Sequence, residues 1–412
     1  MNSSDRLASV AVVLSIILYC LPEREMKSIN IAGVGLIHAS AFMVVVGAGL
    51  GLFWRSLNNG TAIVIFTFLA VLMILLSLLP KDHISFDLRM FLADTLIFCG
   101  LIAGVVYGQS RTPAQILRCC RWMAVGCMAA IVVSLMGLLT GFIEPVFPGR
   151  RPHVWALFNG TWILAVLAPA LAVVARKEAP NKTKSMTTSS NLIWIAYLLI
   201  AFVFAYTGTR SVGIQLFASL LVTWMVLGSF FSMPKIVGPM IVAALLSPFV
   251  NDSFFEEKSS LLRERMTIAS MDRDMRLNEA QDMASQAGDF LWLGCGFGST
   301  FESPIIWQNE SSAAALHIGV LTFPFKGGFL AVLCGLLWPF FIAVRLLFRA
   351  RRNTMLRLAC GNILLYIVFA SVSGGWTFFS LFLYGTFIGI AFRHWNVRAL
   401  ISTPVRPISV PC

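Results

Sequence analysis

The chain has 412 residues, of which 58% are hydrophobic and 12% charged, and its net charge is +12. Soluble domains carry roughly 25% charged residues, so this composition excludes a water-soluble fold, which would expose large apolar patches. The basic residues are scattered over short connecting segments without interleaved aromatic platforms, which argues against nucleic-acid binding.

Apolar runs close to the roughly 20 residues that cross a bilayer recur along the whole chain. In order they cover 7–22, 31–54, 61–79, 86–108, 122–143, 154–175, 191–209, 211–230, 234–250, 328–344, 358–373 and 376–392. The first resembles the others in character and lacks a small-residue cleavage site, so it is expected as a retained span with no soluble domain before it. The polar, breaker-rich stretch 176–190 reads as a linker dividing the spans six and six. No internal repeat is visible, which weighs against inverted-repeat transporters. The expected fold class is all-α. It is a polytopic membrane protein of about twelve transmembrane helices, with helices 1–9 in 1–250, a large helical periplasmic loop over 251–327, and helices 10–12 with a short cytoplasmic tail in 328–412.

Cytoplasmic loops retain Lys and Arg, so their distribution sets the orientation. One set of connecting segments holds eighteen, among them Arg111, Arg118, Arg121, Arg176, Arg345, Arg349, Arg357 and Arg393, while the short loops on the other side hold six. Both termini are therefore expected in the cytoplasm. The nine cysteines fall mostly within spans or on the cytoplasmic side, with Cys295 the exception, and none has metal-ligand spacing.

The outer segment is rich in charge. Ser259 and Ser260 suit the cap of a first helix, and Asp272 that of a second ending at Gly288, with Met275, Ala280, Met283 and Ala287 forming an apolar face that must rest on something. Gly294-Cys295-Gly296-Phe297-Gly298 lacks the Lys-Ser/Thr of a phosphate loop and reads as a tight turn returning the chain to the membrane.

Arg210, in Tyr206-Thr207-Gly208-Thr209-Arg210-Ser211, sits between two apolar runs. An arginine so near the hydrocarbon either snorkels to headgroups or is kept for a ligand. Arg150 and Arg151 in Gly149-Arg150-Arg151-Pro152-His153 lie on the same outer side, and guanidinium forks fit phosphate oxygens, so the three could clamp a diphosphate. Solvated loop charge is the alternative for the pair. Arg276 is either an anion ligand or the ion-pair partner of Glu279 three residues on. His317 is a candidate general base, and Glu310 a candidate to orient it or bind the acceptor. Asp94 and Arg89, in the fourth span, form a possible intramembrane polar site, though Asp94 could equally pair with a neighbouring helix. Asp272-Arg273-Asp274 has the form of a metal triplet, but residues two apart on a helix diverge by about 200°, so no metal is expected there.

These features together resemble the superfamily of O-antigen ligases and Wzy-type O-antigen polymerases. The resemblance rests on about twelve spans, the Thr207-Gly208-Thr209-Arg210-Ser211 junction, and the large outer segment after the ninth span. It continues through Arg276, Leu291-Trp292-Leu293-Gly294-Cys295-Gly296-Phe297-Gly298, the Glu310-to-His317 stretch, and Gly327-Gly328. The family's usual His-Asn appears as His317-Ile318, and its Pro-Asn as Phe158-Asn159. The resemblance implies an inverting, metal-independent inner-membrane glycosyltransferase without a cofactor. Arg151, Arg210 and Arg276 would bind an undecaprenyl-diphosphate-linked glycan donor, and His317 would stand near a glycan or lipid A-core acceptor. A chain-length regulator and a flippase would be its partners in polysaccharide biosynthesis. A lipid-linked-glycan flippase or other polytopic transporter is the alternative.

Overall fold

The computed structural model describes residues 3–20, 30–31, 34–35, 61–81, 84–143, 155–178, 185–207, 210–227, 269–303, 312–313, 318–350, 353–372 and 377–401. They form helices α1 (Ser3–Tyr19), α2 (Thr61–Ser77), α3 (Leu88–Ser110), α4 (Pro113–Leu139), α5 (Trp155–Glu178), α6 (Ser185–Thr207), α7 (Arg210–Leu227), α8 (Ala269–Ala287), α9 (Phe290–Leu293), α10 (Thr322–Val332), α11 (Trp338–Arg349), α12 (Thr354–Val372) and α13 (Phe378–Ile401). Five described stretches, Leu88–Ser110, Pro113–Leu138, Leu157–Arg176, Gly319–Arg349 and Thr354–Ser371, are long and apolar enough to cross a bilayer. This is a helical membrane protein, as hydrocarbon demands of a chain whose backbone must satisfy its own hydrogen bonds.

The first residues of the span expected over 31–54 are instead a short antiparallel pair, β1 (Asn30–Ile31) with β2 (Val34–Gly35). The rest of that span, and the one expected over 234–250, lie outside the described residues.

Local sequence explains the ends of the best-defined spans. Asp87 caps α3, its carboxylate accepting from the backbone N–H groups of Arg89 and Met90. Thr112 and Gln115 form a reciprocal capping box at the start of α4, and Pro113 at the first helical position makes the α3–α4 hairpin tight.

Glycine spacing decides the closest contact in the bundle. Gly100, Gly104 and Gly108 lie four residues apart on α3, facing the carbonyls of Phe378, Phe382 and Thr386 on α13. Gly385 and Gly389 return the contact onto Leu101 and Val105. A Cβ at these positions would overlap a backbone oxygen, so the two helices run in the same direction with backbones touching, the small-xxx-small packing of membrane helices.

α5 and α7 also run in parallel. Pro169 has no N–H, which frees the carbonyl of Ala165 four residues earlier, and Ser219 Oγ donates to it at 2.5 Å. Further along, Arg176 Nη1 donates to Leu227 O at 2.6 Å. α1 and α4 are parallel too, with Ile17 on Gly126 and Cys20 Sγ 3.6 Å from Cys127 Sγ. α12 runs antiparallel to α7, with Arg357 Nη1 donating to Met225 O and Gly361 packed on Val222.

The bundle therefore has two chemically different ends. At one, arginines neutralise helix C-termini: Arg176 and Arg357 bond the last carbonyls of α7, and Arg393 Nη1 bonds Arg111 O at 3.1 Å. At the other, where α3, α5, α7 and α13 begin, sits a small antiparallel sheet of order β3 (Ser85–Phe86), β4 (Ser299–Glu302), β5 (Ser312–Ala313), with registers Ser85↔Thr300 and Phe301↔Ala313.

α8 lies over this sheet. Its Met283 and Ala287, the face expected from sequence, pack into a second core with Ile84, Cys295, Phe301 and Phe325. Gln286 clamps the strand edge, donating to Glu302 O at 2.7 Å and accepting from Glu302 N at 2.8 Å. The helix begins at Ala269, so Asp272 lies in its first turn and not at its cap.

Candidate functional site at the sheet end

Asp94 and Lys326 form an ion pair, Nζ to Oδ2 2.6 Å, with side chains 4% and 0% exposed. Asp94 is seven residues into α3, counting Leu88 as the first, and Lys326 is in α10 just before that helix breaks. Each charge has a second directional contact to one strand-loop segment. Gly298 N–H donates to Asp94 Oδ2 at 2.9 Å, and Lys326 Nζ donates to Ser299 O at 2.8 Å. Two charges taken out of water need such added bonds, since attraction alone seldom offsets the loss of hydration.

The glycine-rich segment is a buried crossing and not a surface turn. Cys295 N donates to Phe325 O, Gly296 N to Lys326 O, and Phe297 N to Met73 O, so the strand threads between α2 and α10. Gly294 has φ +96° where its Cα touches Gly327 and Gly328, and Gly328 itself has φ +61°, a region costly for any residue with a Cβ. The helix break at Gly327-Gly328 exists to admit this crossing strand. Beside it, Lys81 Nζ donates to the carbonyls of Leu76 and Leu79 at the end of α2. Partial burial lowers the Lys81 pKa, the Cys295 thiol opposing this and Lys326 adding to it. Burial pushes the Cys295 thiol up to about 11, and the side chain is fully buried, packed in the second core.

The residues expected from sequence are distributed as follows. Asp94 is in the buried pair, but with Lys326 and not with Arg89. Arg89 is exposed in the first turn of α3, where its backbone N–H is capped by Asp87. The ion pair is the neighbouring-helix alternative for Asp94, and five residues of helix turn Arg89 about 140° away from it. Arg210 is the first residue of α7, and Arg276 lies within α8. Glu279 of α8 is fully buried. Arg150, Arg151, Glu310 and His317 lie outside the described residues. β5, however, starts two residues after Glu310, and Ile318 directly follows His317. Among the described residues no group of His, Cys, Asp and Glu could hold a metal ion.

Two features went unnoticed in the sequence. Lys326 falls inside the expected outer segment 251–327, although its setting, Phe323-Pro324-Phe325-Lys326-Gly327-Gly328-Phe329, is apolar and marks a lysine needing a buried acid. The other is a polar stripe on α7. Ser211, Gln215, Ser219 and Thr223 recur every four residues and are all buried. Tyr197 of α6 joins Ser219 and Thr223 through its hydroxyl at 3.1 and 2.5 Å.

The stripe fixes a register. Ser219 meets Ala165, so Arg210, nine residues before Ser219, is level with Ala156, nine residues before Ala165 and one past the start of α5. Two parallel helix N-termini therefore open side by side at the sheet end. Comparison with protein-family models and with curated proteins finds no match for this chain.

Proposed function

We propose that this protein is a bacterial inner-membrane glycosyltransferase that transfers or polymerises an undecaprenyl-diphosphate-linked oligosaccharide on the periplasmic face, as an O-antigen polymerase or ligase does. The observation that carries the reading is the level start of α5 and α7. A helix N-terminus offers backbone N–H groups and the positive end of a dipole, and two side by side favour an anion with two phosphates. Arg210 opens α7. Arg151 precedes Trp155 by four residues, and so lies within about 14 Å of the start of α5 by chain length alone. Arg150 and, from α8, Arg276 complete the basic set. Glu310 and His317 flank β5, which is paired onto the same end of the bundle.

Helix directions support the expected order of spans. α1 with α4, α5 with α7, and α3 with α13 are parallel, while α7 and α12 are antiparallel, which are the relations that the twelve-span order requires of its first and fifth, sixth and eighth, fourth and twelfth, and eighth and eleventh members. The arginine-capped end then faces the cytoplasm and the sheet end the periplasm. Donor glycan, a glycan or lipid A-core acceptor, and the bilayer itself are the partners of this reading, and no cofactor enters it.

Transport is the second reading, and the buried Asp94–Lys326 pair is the observation that favours it. Seven residues of helix place Asp94 only about 10 Å from the start of α3, near one surface and not at the midplane where alternating access centres its charges. Position thus favours surface chemistry.

The test is a deletion strain examined for its cell-surface glycan. Loss of the polymerised or ligated product, restored by the wild-type gene but not by Arg210→Ala at equal protein level, is the expected result. An unchanged glycan profile in the deletion strain, or full restoration by Arg210→Ala, would overturn the assignment.

A further inference from the structure

We infer that Asp94 and Lys326 are positioning residues, which hold β4, and through it β5, in register at the sheet end of the bundle. This rests on the proposed transfer reaction for its consequence, but the positioning itself can be read without that reaction.

The argument begins from what a buried ion pair is good for. Replacing such a pair by apolar residues of similar size is often neutral or stabilising, so net stability is a weak reason for it. Direction is a better one. Asp94 Oδ2, the oxygen that holds Lys326 Nζ, also accepts from Gly298 N–H, and Nζ donates to Ser299 C=O, so the pair grips two successive peptide groups. Those peptides are the entry to β4. Ser85 Oγ and Thr300 Oγ1 add a hydrogen bond of 2.5 Å on one side of that strand, and Phe301 and Glu302 pair with Ala313 and Ser312 on the other.

The chain then runs from β5 to Ile318 and into α10, where Lys326 itself resides. The chain from Ser299 to Lys326 is thus tied at both ends to one ion pair. Glu310 and His317 lie between those two ends in sequence. An alternative strand register by one residue would turn every side chain on β4 and β5 to the opposite face. A charge pair bonded to specific peptides excludes that slip, which a purely apolar contact would tolerate.

The experiment uses two double variants of the full chain. Asp94→Leu/Lys326→Met removes both charges and both tethers while keeping the site filled. Asp94→Lys/Lys326→Asp keeps an ion pair but sets a donor against Gly298 N–H and an acceptor against Ser299 C=O. Register is read by a disulfide between Glu302→Cys and Ser312→Cys, formed with copper phenanthroline in membranes and identified by mass after proteolysis. Both double variants should reach the membrane, lower the yield of this cross-link, and reduce turnover by on the order of 10- to 100-fold with little change in donor KM, as a small misplacement of reacting groups does.

Either variant retaining both wild-type cross-link yield and turnover overturns the inference, and if one fails to insert, the other decides. A wild-type chain that transfers no glycan, yet shows the cross-link and its loss in the variants, fails the functional reading while leaving the positioning role standing.

Discussion

Gln215 is the residue whose environment asks most for an explanation. It is 1% exposed on the polar stripe of α7, and among the described residues neither its amide nitrogen nor its amide oxygen has a hydrogen-bond partner. A buried polar group without a partner costs about 1–3 kcal/mol, and an apolar replacement of the same shape recovers it. Gln215→Leu should therefore raise the melting temperature of the purified protein in detergent, while Ser219→Ala, which removes the bond to the carbonyl freed by Pro169, should lower it. A lower melting temperature for Gln215→Leu would show that the amide is engaged in the membrane-embedded protein. At this scale the sequence was half legible. Asp94 stood out as an acid in an apolar run, but its partner did not. Lys326 lies 232 positions away and inside the expected outer segment, because Gly327-Gly328 is a break within a helix that sequence alone places at the segment's end.

Elements of long apolar run were readable because hydrocarbon length and helix rise leave little choice. α3, α5 and α12 match the runs expected from sequence to within a few residues. The apolar face of α8 was visible as helical spacing for the same reason. The sheet was not, because β3 and β5 are two residues long, and two residues carry no periodicity. β4 pairs with β3 across more than 200 residues of sequence, a contact supported by Asp94, Lys326 and the glycine crossing. The α3–α13 contact was legible in principle from Gly100, Gly104 and Gly108. It also gives a sharp prediction. Gly104→Val places two methyl groups where Phe382 O now lies, which forces the helices apart and should destabilise the protein by about 1–3 kcal/mol or more. Gly141→Ala, at an exposed turn with open space around it, should cost less despite its positive φ. Equal melting temperatures for Gly104→Val and wild type would contradict backbone contact between α3 and α13.

At the scale of the molecule, composition and the arginine bias bound the class and the proposed orientation, and helix directions give those ideas geometric support. Reporter fusions after Lys184 and within 269–303 should report cytoplasm and periplasm respectively. The same side for both would refute the orientation.

The proposed chemistry is harder to read, because sugar and acceptor recognition would depend on hydroxyl placement that no periodicity encodes. The central claim is that a diphosphate donor is held by arginines and helix N-termini, with His317 taking the acceptor proton and no metal involved. Its most direct test is glycan transfer by the purified protein from an undecaprenyl-diphosphate-linked oligosaccharide in excess chelator. The wild type should remain active. Arg210→Ala should abolish transfer and Arg210→Lys should rescue poorly, since an ammonium cannot reproduce a bidentate fork. His317→Ala should lower turnover by about 10²–10⁴-fold with donor binding retained. Activity lost to chelator and restored by magnesium or manganese, or an Arg210→Ala protein as active as wild type, would contradict the account.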